Sequence, residues 1–297
     1  LHTKEEKIKA FERLLDIQER LRKECPWDRK QTFESLRPNT IEETFELAEA
    51  LINQDYKNIC KELGDLMEHI IFYSLLGSEI EKFDVADVCN AQSDKLMFRH
   101  DFIDWRGWYL TDKDMTINTE GRVVYKDELI QKHNGSIPNK APTTANQVES
   151  TWEQRKQMER NGNKTVLSGV PDALPSIIKA YRIQDKARNV GFDWKQKEDV
   201  WEKVEEELQE LKQELSKDDK KNSTKELGDF LFSVINAARL YKLNPDNALE
   251  QTCQKFISRF SYVEKQSKKM GKYLKDMTLF EMDKLWNEAK SLERHEL

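Results

Sequence analysis

Carboxylates recur in this chain at a spacing that puts them on one side of a helix. Glu206-Glu207-x-x-Glu210 is followed by Glu226-x-x-Asp229, and Glu42-Glu43-x-x-Glu46 by Glu62-x-x-Asp65. Residues three apart on a helix share a face, so Glu207 and Glu210 point one way, as do Glu226 and Asp229. Where two such helices run antiparallel side by side, four carboxylates converge. Left bare they repel and raise one another's pKa, and a divalent cation relieves the conflict. Oxygen donors without His or Cys point to Mg2+ or Mn2+ rather than Zn2+ or Cu2+. The pattern has no Glu-x-x-His pair, which argues against a di-iron carboxylate bundle.

Each motif alone would read as a solvated acidic face; the repetition is what singles them out. Glu43 and Glu207 are 164 positions apart, as are Glu62 and Glu226, and Lys61-Glu62-Leu63-Gly64-Asp65 reappears as Lys225-Glu226-Leu227-Gly228-Asp229. Lys95-x-x-x-Arg99 matches Lys255-x-x-x-Arg259 at an offset of 160, and Trp152-x-x-x-Lys156 matches Trp286-x-x-x-Lys290 at 134. A duplicated domain explains all four offsets if the first copy carries 26 extra residues between Arg99 and Trp152. The Gly ahead of each Asp weakens its helix by about 1 kcal/mol, and close approach of another helix is the expected reason. Lys255 and Arg259 share a helix face. Beside a metal they could grip a polyphosphate, Arg forking two oxygens and Lys adding a point charge; by themselves they are a basic surface. Trp152 and Trp286 fit either a stacked base or a core.

These residues need rigid helices to hold them. Helical periodicity and breakers predict helices over 4–23, from Thr40 (as N-cap, with Glu43 completing a capping box) to 53, over 57–76 and over 85–99. In the second half they predict 200–215, 224–241, 245–269 and 279–293. Leu63, Leu66, Met67, Ile70 and Phe72-Tyr73 form an apolar stripe in the first half. Trp201, Val204, Leu208, Leu211 and Leu215 form another, and so do Leu227, Phe230, Leu231, Val234 and Ala238. Such stripes are expected to close the core of an antiparallel bundle. Residues 100–147 differ: a turn at 119–122 beside Val123-Val124-Tyr125 suggests a short hairpin, with a polar loop over 133–147. Residues 161–164 suggest a linker.

Composition agrees with helices. The 297 residues suit two domains, and only 10 Gly and 7 Pro leave little for the turns of a β-sandwich or Rossmann fold. The charge balance, 49 basic to 55 acidic, has no basic arm, so nucleic acid is not an expected partner. No apolar run reaches membrane-spanning length, and residues 1–6 are polar, unlike a signal peptide. Leu1 in place of Met suggests a trimmed start or an unusual start codon. The four cysteines show no CxxC spacing and read as reduced thiols of a cytoplasmic protein.

The chain resembles the MazG family of nucleoside triphosphate pyrophosphohydrolases. The resemblance rests on Cys25-Pro26-Trp27-Asp28 with Gln31-Thr32, on both Glu-Glu-x-x-Glu and Glu-Leu-Gly-Asp pairs, and on Asn189-Val190-Gly191-Phe192-Asp193-Trp194. It spans nearly the whole chain except about 101–147. It implies an all-α fold of tandem MazG-like helical bundles: an N-terminal domain over 1–160, with a small irregular or hairpin insertion at about 101–147, and a C-terminal domain over 165–297. It also implies a homodimer whose subunits build the bundle together, a need for Mg2+, and a house-cleaning role in the cytoplasm. The implied reaction is hydrolysis of NTPs and dNTPs to a monophosphate and pyrophosphate. Carried onto this chain, the metal ligands would be Glu207, Glu210, Glu226 and Asp229. Lys203, Lys225, Lys255 and Arg259 would contact phosphate, and Trp286 and Lys290 the base or sugar. Glu206 is the expected proton acceptor for a water attacking the α-phosphorus. A possible second site in the first copy comprises Glu43, Glu46, Glu62, Asp65, Lys95 and Arg99. There the chain departs from the family pattern: His100-Asp101-Phe102-Ile103-Asp104 follows Arg99, and the insertion is expected to separate Arg99 from Trp152. The working site is therefore expected in the second copy. The alternatives are a narrower bundle pyrophosphatase, acting on one dNTP or on phosphoribosyl-ATP, and a non-catalytic nucleotide-binding helical regulator.

Overall fold

The computed structural model describes residues 1–127, 142–159 and 165–293. The chain divides into two compact units, Leu1–Lys164 and Thr165–Leu297. The first holds α1 (Lys4–Glu24), α2 (Phe33–Ile52), α3 (Tyr56–Glu79), α4 (Val85–Arg99), strands β1 (Met115–Ile117) and β2 (Val123–Tyr125), and α5 (Ala145–Met158). The second holds α6 (Ser176–Asn189), α7 (Val200–Ser216), α8 (Lys220–Leu240), α9 (Pro245–Lys269) and α10 (Leu279–Glu293). In each unit the helices carrying the acidic motifs pack on each other, α2 on α3 and α7 on α8.

Side-chain caps set the starts. Asp55 accepts from the Lys57 and Asn58 amides ahead of α3, and Asp219 from the Lys221 and Asn222 amides ahead of α8. One expected start is corrected. Helix α2 begins at Phe33, not after Thr40, because Thr32 and Ser35 form the capping box, each side chain accepting from the other's amide. Pro38 lies inside α2, and the Thr40 hydroxyl, instead of capping, donates to the Leu36 carbonyl of its own helix at 3.1 Å. Helices α5 and α6 were not anticipated. Pro175 just ahead of α6 and Gly191 just behind it, at φ 88°, were the available signals.

The hairpin in the first unit is antiparallel, with Thr116 opposite Val124. It is built onto α4: Met97 and Phe98 form one buried cluster with Met115, Val123 and Tyr125. Buried Asp94 accepts from the Thr111 amide (2.9 Å), the Thr111 hydroxyl (2.6 Å) and the Asp112 amide (2.7 Å). Asp101 and Arg155, both fully buried, pair across the insertion. Of the polar loop expected over 133–147, residues 133–141 lie outside the described residues, and Ala145 already begins α5. The expected linker at 161–164 lies outside them as well.

The apolar stripes close a core only in part: Phe72 with Tyr73, and Val204 with Phe230, belong to buried clusters. On α3, Leu63, Met67 and Ile70 are exposed while Ile71, Phe72 and Leu76 are buried; on α8, Leu227, Leu231 and Val234 are exposed. On α7, Val204 and Leu211 are buried but Trp201 and Leu215 are not. Each helix pair thus buries part of its stripe and leaves the rest, Leu63, Met67 and Ile70 in one unit and Leu227, Leu231 and Val234 in the other, facing outward.

Candidate functional site

Within each unit the helix pair brings three carboxylates together. Ligand oxygens of Glu43, Glu62 and Asp65 all lie within 4.8 Å of one another, and so do those of Glu207, Glu226 and Asp229. One residue comes from the first helix of the pair and two from the second, at the same relative positions. Glu46 and Glu210, expected as fourth ligands, fall outside these groups, although each adds its negative charge to the neighbourhood. Glu206 is exposed and also outside the group.

The clusters are electrostatically strained. Partial burial, then the charges of Asp65, Glu46 and Glu62, push the Glu43 carboxyl above its ordinary pKa. Desolvation, then Glu210, Asp229 and Glu207, do the same to Glu226. Glu62 is 4% exposed, and its Oε2 is buried without a hydrogen-bond partner. A buried, unpartnered carboxylate oxygen is costly. Here it belongs to a set of hard oxygen donors that suits a divalent cation coordinated by carboxylates.

Ammonium groups lie among these acids. Lys61 Nζ is 2.9 Å from Glu62 Oε1, 3.5 Å from Asp65 and 3.8 Å from Glu46. Lys203 Nζ is 2.7 Å from Glu207 and 2.9 Å from Glu206, and these bonds raise its pKa. Lys225, the counterpart of Lys61, forms no ion pair with a described residue. Lys61 was missed in the sequence, although its match to Lys225 was available.

The remaining expected residues occupy the α4–α5 and α9–α10 pairs. Lys255 is exposed, and Arg259 lies over the Trp286 ring at 5.7 Å. Trp286 packs against Val263, Met277 and Leu285 and is 5.0 Å from the Phe256 ring; Lys290, one helical turn on, is half-buried. In the first unit Arg99 lies over Trp152 at 4.9 Å and donates to Glu159 at 2.9 Å. The expectation that the insertion separates Arg99 from Trp152 is thus corrected, because α5 returns to α4. Lys95 lines a cavity of about 480 Å3 between α4 and the hairpin, together with Asp94, Asp112 and Tyr125. The expected close approach at Gly64 and Gly228 is also absent, since a Cβ at either position would meet nothing within 4 Å.

The second family motif anchors a loop in its own unit. Arg239 on α8 makes a two-pronged ion pair with Asp193 and also donates to Asn236 on its own helix. Burial would raise the Asp193 carboxyl, but the pair with Arg239 and a bond from the Trp194 amide hold it below its ordinary pKa.

Two helical units, each with one three-carboxylate cluster on a helix pair, define a tandem all-α protein. A family model described as the MazG nucleotide pyrophosphohydrolase domain matches it twice, at residues 31–103 and 195–263. The nucleoside triphosphate pyrophosphohydrolase/pyrophosphatase MazG of Thermotoga maritima is 32% identical over 283 residues, covering 94% of this chain and 95% of that protein. The nucleoside triphosphate pyrophosphohydrolase of Escherichia coli K12 is 32% identical over 293 residues, 96% of this chain and 99% of that protein. YabN of Bacillus subtilis, an uncharacterized protein, is 38% identical over 272 residues, 91% of this chain but 49% of its own length. The chain belongs to the MazG family.

Proposed function

We propose that this protein is a Mg2+-dependent nucleoside triphosphate pyrophosphohydrolase, and that 1–160 and 165–297 are its two MazG-like domains, the first interrupted at about 101–147. The observation that carries the reading is the twice-built carboxylate cluster, with the unpartnered Oε2 of Glu62 inside it. Glu207, Glu226 and Asp229 would hold the cation, with Glu210 at its edge; Glu43, Glu62 and Asp65 would do so in the first copy, with Glu46 alongside. A bound Mg2+, or Mn2+ in its place, would supply positive charge at the phosphates and activate water. Lys203, Lys225, Lys255 and Arg259 would bind and orient the phosphate chain, and Trp286 and Lys290 would face the base or sugar. The water oxygen bonds to the α-phosphorus, the bond from that phosphorus to the α,β-bridging oxygen breaks, and pyrophosphate leaves. Glu206 takes the water proton. The second copy is the working one in this reading. It has Lys203 where the first has Asn39, and its Lys255 is exposed where Lys95 is half-buried beside the insertion.

A homodimer follows from the same surfaces. Leu63, Met67 and Ile70 flank one open glycine, and Leu227, Leu231 and Val234 the other. Apolar stripes of this kind mark association faces, and the space over Gly64 and Gly228 is left for a second subunit. Among the described residues no helix is long and apolar enough to cross a membrane. The cytoplasm, where the substrate pool lies, is the proposed location.

Turnover in 18O-labelled water tests the chemistry. Across the common NTPs and dNTPs the products should be monophosphate and pyrophosphate, with the label in the monophosphate. Diphosphate and inorganic phosphate, or label in pyrophosphate, would contradict attack at the α-phosphorus. Turnover of a single substrate would narrow the enzyme. Binding without any turnover would favour a nucleotide-binding regulator.

A further inference from the structure

The two clusters share their carboxylates but not the lysine that neutralises them. In the first copy Lys61 reaches across to three acids: Glu46 from α2, and Glu62 and Asp65 from α3. In the second copy the matching Lys225 forms no ion pair with a described residue, and Lys203 on α7 pairs instead with Glu206 and Glu207. Lys203 has no basic counterpart, because Asn39 occupies that position in the first copy. Both paired lysines touch members of the three-carboxylate groups, so their ammonium ions sit on carboxylates a metal would need. Their side chains are 60% and 40% exposed, on flexible four-carbon stems that can swing outward without disturbing a core.

We propose that Lys61 and Lys203 are built-in counter-ions of the two acidic clusters, which a divalent cation must displace, and that displaced Lys203 then serves as a cation for the phosphate chain. The inference rests on the metal-dependent reading above and adds an order to it. Without metal the lysine quiets the carboxylate repulsion and is withheld from nucleotide; with metal the carboxylates are satisfied and the ammonium is released. Metal and triphosphate would then bind cooperatively through one side chain, in the manner of any two ligands linked by a shared group. The two copies would differ, because Lys61 stands over two of the three cluster members and Lys203 over one.

Titration of the full-length protein with Mn2+ alone, reading free Mn2+ by electron paramagnetic resonance, tests this in wild type, Lys61→Met, Lys203→Met and Lys225→Met. Lys61→Met and Lys203→Met should each tighten one of two sites by about threefold, the scale of a part-exposed ion pair. Lys225→Met should change neither, although it removes the same charge from the same motif. Lys203→Met should also weaken binding of a non-hydrolysable triphosphate analogue in saturating Mn2+. Unchanged or weaker Mn2+ binding in the first two variants overturns the proposal, as does equal tightening in Lys225→Met, which would reduce the effect to net charge. A wild type that binds no Mn2+ would instead overturn the metal-dependent reading itself, and this proposal with it.

Discussion

Desolvation, and then neighbouring carboxylates, hold Glu226 and Glu43 in a state that disfavours ionisation, which has a consequence for stability. A carboxyl whose folded pKa is raised above its unfolded value is destabilising once ionised. Stability is therefore lost as pH rises from the ordinary carboxylate pKa through the raised one, and the loss persists at neutral pH. Glu226→Gln removes the charge and keeps the shape. In chelator it should unfold at a higher temperature than wild type, and Mg2+ should raise the melting temperature of wild type more than that of the variant. A lower melting temperature for Glu226→Gln in chelator would mean that Glu226 serves packing rather than a metal. At this scale the sequence was informative: the pairing of Glu207 with Glu226 and Asp229 could be read from helix spacing alone. The exclusion of Glu46 and Glu210 from the tight groups could not, because spacing fixes a face and not which of two residues on it lies deepest. Likewise Lys61 and Lys225 sit in identical pentapeptides, yet only Lys61 bridges its cluster.

At the scale of elements, the insertion is a built part of the first unit. Its hairpin shares a hydrophobic cluster with α4, and the Asp94 carboxylate satisfies two backbone amides and a hydroxyl of the incoming chain. Asp94→Ala removes three hydrogen bonds from a charged acceptor to the chain at 111–112, at about 2–3 kcal/mol. Hydrogen exchange should quicken over 111–125 in this variant while α2 and α3 keep their protection. Unchanged exchange over 111–125 would mean that the apolar cluster alone docks the hairpin. The existence of the hairpin was legible from the turn at 119–122 and the apolar run after it. Helix α5 was not, because its start lies in a polar stretch and only Thr144, which accepts from the Gln147 amide, marks it. Helix α2 starts earlier than expected because Thr40 with Glu43 spells a capping box, whereas the box that forms is Thr32 with Ser35, without the usual Glu or Gln.

For the whole molecule, the outward apolar stripes are the main departure from what the sequence suggested. Periodicity identified the residues but not what they face, since an apolar stripe looks the same whether it meets its own chain or another. If Leu63, Leu227 and their neighbours meet a second subunit, sedimentation should give a dimer, and Leu227→Glu with Leu231→Glu should shift it toward monomer; a monomeric wild type would refute the assembly. The central claim is that the second carboxylate cluster holds the metal that makes a nucleotide's phosphate chain cleavable. Pyrophosphate release with Mg2+, compared among wild type, Glu226→Gln and Glu62→Gln, tests it most directly. Glu226→Gln should lose at least about 100-fold in turnover with its helical circular dichroism intact, while Glu62→Gln retains most of it. Near-normal turnover in Glu226→Gln, or loss in Glu62→Gln alone, would contradict the account.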